Sequence, residues 1–128
     1  MLSLVIFSVD VDRLADFYST LLGANLTSEE HGVVRVHCGE TILRILSIPD
    51  EIAHDIVITT PPQGRDDVAV KPIFEVENLA LSLQSISALG GVDTGRSFSD
   101  SDFDYHDVLD PEGNVIQLSW RTPTNLKI

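Results

Sequence analysis

The chain is poor in covalent cross-linking chemistry. Its one cysteine, Cys38, excludes an internal disulfide and a cysteine-based zinc cluster. A lone free cysteine usually serves as a small buried hydrophobe, and a reducing cytoplasm is the natural expectation. Positive charge is scarce too: eight Lys and Arg face twenty Asp and Glu, for a net charge of −12. Such a surface repels phosphate backbones and anionic lipid, so nucleic acid and membranes are poor partners. The acidity serves solubility, or draws in cations. No apolar run approaches the roughly 18–20 residues of a membrane helix. The opening "MLSLVIF" lacks a basic n-region and a small-residue cleavage site, so it reads as a buried first strand and not as a signal peptide.

Familiar catalytic spacings are missing as well. The histidines are His31, His37, His54 and His106, and no HxH, HExxH or CxxC occurs. His31 and His54 read as solvated loop residues, and alternation puts His106 on the opposite strand face from Asp107. "LLGANLTS", "SALGGVDTG" and "DPEGN" fit neither a nucleophile elbow nor a phosphate loop, and "LGGVDTG" reads as helix cap and loop.

What is present is a repeat. The 128 residues suit one domain with a real core, and 43% hydrophobic with 22% charged residues is ordinary for a globular chain. "FSVDVDRLADFYSTLLG" (Phe7–Gly23) and "FEVENLALSLQSISALG" (Phe74–Gly90) share Phe, Val, an acid and a final Leu-Gly, 67 residues apart. Each reads as a strand end, an acidic turn and an amphipathic helix. Asp10 or Asp12 can cap the first helix, with Gly23 as its left-handed stop. Asn78 can cap the second, with Gly90-Gly91 as the stop.

"GVVRVHCG" and "ETILRILSI" then predict a hairpin turning near Gly39-Glu40. "FDYHDVLD" and "NVIQLSW" predict a second pair around Pro111 and Gly113. "DIVITT" (55–60) can form a strand, and Pro72 marks the next strand as an edge or bulge. One copy of about 50 residues would leave a sheet face bare, so two copies joined around a cleft are the expected α+β architecture.

Asp10 with "RLADFYSTLLG", "FEVEN…LGG" and "DPEGNVIQL" together resemble the vicinal oxygen chelate superfamily, which includes glyoxalase I, bleomycin- and fosfomycin-resistance proteins and extradiol dioxygenases. The resemblance implies two βαβββ modules forming a half-barrel cleft, often within a homodimer. The modules would span about residues 1–50 and 68–122, joined by a segment of about 51–67. It also implies metal-ligand positions in the metal-dependent members. Carried over one by one, these fall on Ser3 or Leu4, on Lys71 and on Gln117. A Ser or Leu, an ammonium and an amide make a poor set for a divalent metal, so no metal and no cofactor is expected.

Strand alternation supplies other candidates. Val34, Val36, Leu43, Ile45, Phe74 and Val76 suit the core, leaving Arg35, His37, Arg44, Lys71, Glu75, Tyr105, Asp107 and Gln117 for the cleft. Leu4, Ile6, Ile73 and Leu109 would supply its apolar part, and Trp120 can cap it. Arg35, Arg44 and Lys71 in one concavity would suit an anionic or polar group, or would pair internally with Glu75 and Asp107. Three functions follow: a metal-free binding protein for a small organic molecule, a metal-dependent lyase, isomerase or dioxygenase, or a metal-independent enzyme. For the last, Asp107, Glu75, Tyr105 and His37 are the proton-transfer candidates.

Overall fold

The computed structural model describes residues 2–29, 32–65 and 68–122. The first module is β1 (Ser3–Ser8), α1 (Val11–Leu22), β2 (Asn25–Ser28), β3 (Val33–Cys38) and β4 (Thr41–Ser47). A short helix α2 (Asp50–Ala53) follows. The second module is β5 (Ile73–Glu75), α3 (Leu79–Ile86), β6 (Val92–Ser99), β7 (Phe103–Leu109) and β8 (Val115–Arg121). The sheets have matching orders, β1-β4-β3-β2 and β5-β8-β7-β6, with the first strand of each parallel to the last. This is the expected α+β pair of βαβββ modules.

Local chemistry starts both helices and stops α1 as the sequence implies, but α3 ends at Ile86 with Ser87 as its cap, ahead of the expected Gly90-Gly91. The Asp10 carboxylate accepts from Arg13 N at 3.2 Å, and Gly23 ends α1 at φ 60°. Asn78 Oδ1 accepts from Leu81 N at 3.1 Å. Each cap satisfies a backbone donor that the first turn leaves unpaired. Leu14, Phe17, Tyr18 and Leu21 bury one face of α1 against Val36, Leu43 and Ile45. Phe74, Ile86, Val108, Ile116 and Leu118 continue the same core from the second module.

The β7–β8 turn locks the modules together. Ser8 Oγ donates to Glu112, whose other oxygen accepts from Val9 N at 3.0 Å. Asp110 accepts from Tyr18 OH at 2.7 Å and from the backbone N–H groups of Glu112 and Asn114. Burial pushes the Asp110 carboxyl above its ordinary range, against the pull of these hydrogen bonds. The Tyr18 phenol is pushed well up, first by burial and then by the Asp110 charge. Two buried carboxylates thus fasten the end of β1 and the buried face of α1 to the β7–β8 turn.

Three local expectations are corrected. Residues 55–60, "DIVITT", form no strand. "VDTG" is not loop but the start of β6, paired to β7 with a register shift between Asp93 and Ser97. Gly95, at φ 77°, lies inside that irregularity, and glycine in a strand commonly marks a bulge. Ile6 does not face a cleft: parallel pairing sets it beside Ile45, on the core side. His31 lies outside the described residues, and His54 caps α2 on the surface.

Candidate functional site

In the second module the polar centre is Asp107 on β7, 1% exposed. Lys71 Nζ donates to its Oδ2 at 2.8 Å, and Gln117 Nε2, its register partner on β8, donates to Oδ1 at 3.1 Å. Arg96 Nε approaches Oδ2 at 3.6 Å. The β6 bulge aims Arg96: Thr94 Oγ1 donates to Asp107 O at 2.6 Å and accepts from Arg96 N. Burying a carboxylate is costly unless it is paired and hydrogen-bonded, and these contacts supply the pairing. The Lys71 ammonium also lies 5.6 Å from the Phe98 ring centroid.

The first module carries a different arrangement. Arg35 and Arg44 are register partners across β3 and β4, and both reach the Glu29 carboxylate. His37 Nε2 bonds Thr27 Oγ1 at 2.8 Å.

A cavity of about 780 Å³ lies where the modules meet. Leu4, His37 and Cys38 line it from the first module, and Lys71, Ile73 and Glu75 from the second. That volume suits a small organic ligand, with apolar walls and few polar groups. Burial raises the Cys38 thiol, which keeps it protonated and poorly nucleophilic at neutral pH.

The eight candidate residues therefore fall into groups. His37, Lys71 and Glu75 share the cavity, while Lys71, Asp107 and Gln117 share hydrogen bonds. Arg35 and Arg44 stand with Glu29, not with Lys71. Tyr105 donates to Asp100 at 2.7 Å, a hydrogen bond that raises its phenol. Leu109 borders a smaller hollow with Gly64 and Arg96, and Trp120 Nε1 donates to Glu77 O.

Arg96, Glu29 and Cys38 were not among the sequence candidates. Reading "VDTG" as loop left Arg96 without a strand face. The signal available was its alternation with Thr94.

At the metal-ligand positions of the superfamily, Ser3 is exposed and Leu4 packs beside Leu43. The Lys71 ammonium holds the carboxylate that a cation would need. Among the described residues, no three His, Cys, Asp or Glu side chains gather. This donor set does not fit a divalent metal.

Against known proteins, the profile of the glyoxalase-like domain matches residues 3–119. No curated protein sequence matches. A glyoxalase-related enzyme from Fulvimarina pelagi superposes with a TM-score of 0.67 at 15% identity, over 94% of this chain and 87% of that one. A glyoxalase/bleomycin resistance protein from Albidiferax ferrireducens T118 gives 0.63 at 14%, over 94% and 97%. Fosfomycin resistance protein FosX from Mesorhizobium loti gives 0.62 at 9%, over 99% and 94%. At these identities the likeness is one of fold. With the profile match across nearly its whole length, the chain belongs to the glyoxalase-like domain family of the vicinal oxygen chelate superfamily.

Proposed function

We propose that the protein is a metal-independent binder of a small organic molecule, with the cavity between the modules as its site. The observation that carries this reading is the Lys71–Asp107 contact of 2.8 Å. It puts a fixed ammonium at a superfamily ligand position and occupies the neighbouring carboxylate. Gln117 completes the neutralised cluster from the last-strand position. Leu4 and Ile73 offer apolar contact, while His37, Lys71 and Glu75 supply polar ends of both signs.

Homodimerisation in the cytoplasm is part of the same proposal. The edge strands β1 and β5 carry exposed Phe7 and Ile73, and unpaired edges with apolar side chains suit cover by a second copy.

The test is metal content of the purified protein, with melting temperature after chelation and after adding Zn²⁺, Ni²⁺, Mn²⁺ or Fe²⁺. A native ligand set binds the folded state and raises the melting temperature. The expected result is no stoichiometric metal and no shift. Near-stoichiometric metal with a clear shift overturns the proposal and returns Gln117 to the candidate ligands.

A further inference from the structure

The outer face of the first sheet carries a separate group of side chains. Pairing across the sheet lines up Val5, Arg44, Arg35 and Thr27 in one row. Two like charges directly opposite on neighbouring strands are unfavourable unless something compensates them. Here one carboxylate does so. Glu29 Oε2 lies 3.4 Å from an Arg44 Nη, and Glu29 Oε1 meets an Arg35 Nη. Among the described residues, the two guanidinium groups thus share one carboxylate, in a protein whose net charge is −12.

The sharing is also geometrically incomplete. Each guanidinium reaches Glu29 through one terminal nitrogen. The Nε–H groups of Arg35 and Arg44 are buried and have no hydrogen-bond partner among the described residues. Arginine binds oxyanions best through two parallel N–H donors, and among the described residues neither fork is used that way. A buried donor without an acceptor costs stability, so the arrangement favours an added oxyanion. Beside the arginines, Val5 and Phe7 are 47% and 59% exposed, and Leu46 follows Phe7 in register. The face therefore offers a cationic centre with an apolar border.

We infer that Arg35 and Arg44 form an anion-binding site for an amphipathic molecule, an oxyanion head on an apolar body. Glu29 occupies the head-group position as an internal stand-in. The oxyanion displaces or joins Glu29 between the two guanidinium groups, and the apolar body lies over Val5, Phe7 and Leu46. This site is distinct from the Lys71 cavity and does not depend on the function proposed for it.

Octanoate, octyl phosphate and inorganic phosphate are the probes, followed by backbone amide shifts in the full chain. Octanoate against octyl phosphate separates a carboxylate head from a phosphate head. Inorganic phosphate against octyl phosphate isolates the apolar contribution. The expected result is saturable movement at Val5, Thr27, Arg35 and Arg44. Glu29→Gln should tighten binding about tenfold, and Arg35→Gln or Arg44→Gln should weaken it about tenfold. Arg35→Lys keeps the charge without the fork and should give an intermediate loss, which guards against a variant that fails to fold. Movement confined to residues 70–75 and Asp107 would place the anion at the other site and overturn the inference. So would unchanged affinity in Glu29→Gln, or no saturable movement with any probe.

Discussion

The two modules begin from nearly the same phrase and end with different mechanics. In the first, α1 runs twelve residues and buries five of them, so it supplies much of the core. In the second, α3 runs eight residues and buries only Ile86. β1 has six residues and β5 three, directly after Pro72, which cannot donate to a ladder. The polar centres differ in the opposite direction. The first module leaves two half-exposed arginines on one carboxylate, while the second buries Asp107 and satisfies both of its oxygens. A repeated phrase therefore specifies element order, not how much each copy buries or what its outer face holds.

The glycines Gly23, which ends α1, and Gly91, which precedes β6, give the sharpest way to break this comparison. A Cβ at Gly91 would press on the Leu109 carbonyl oxygen and come 2.8 Å from Phe17 Cε1. At Gly23 it would meet nothing within 4 Å, though φ is 60°. Gly91→Ala should cost about 3 kcal/mol or more through backbone overpacking. Gly23→Ala should cost only about 1 kcal/mol, the left-handed penalty alone. Urea denaturation of both variants checks this, and equal losses would contradict the packing difference.

The two carboxylates come next. Asp107→Ala strands the Lys71 ammonium and the Gln117 amide in a part-buried place. It should cost about 2 kcal/mol, less than a fully buried pair because a third of Lys71 is exposed. Glu29→Ala should cost less than about 1 kcal/mol, since both its arginines are more than a third exposed. Thermal melts of the two variants should rank in that order; a reversed order would mean the first cluster carries the stability.

The smallest effect concerns β6. Burial works to raise the Asp93 carboxyl, but the Gly95 N–H and the His106 ring outweigh it, and the group titrates below its ordinary range. A depressed acid stabilises the fold above its unfolded pKa, about 3.9, and that part is lost as pH falls through the lower folded value. Asp93→Asn should therefore be less stable than the parent at pH 6, with the gap closing below about pH 4. Melting curves across that range measure it. A gap that persists at low pH would assign the effect to hydrogen bonding and not to charge.

Much of the fold was legible because its signals are local. Asp10 and Asn78 cap, Gly23 and Gly113 take positive φ, and Val34, Val36, Leu43 and Ile45 alternate onto the core. The site was less legible because its neighbours come from other strands. Alternation placed Arg35, Arg44 and Lys71 on cleft faces, but it carries no information on which carboxylate each reaches. Ile6 shows the same limit: its face depends on a parallel register with β4, some forty residues away. Arg96 was overlooked because a bulge at Gly95 disguises a strand as a loop.

The sequence by itself determined the repeat, the helix caps at Asp10 and Asn78, and the left-handed stop at Gly23. These depend on residue type and spacing along one stretch of chain. The tertiary structure alone decided that Glu112 and Asp110 bind the modules together, and that Glu29 and Asp107 divide the basic residues into two centres. Charge pairs form between whichever groups the folded backbone brings within about 4 Å, and those distances exist only once strands far apart in sequence have found their register.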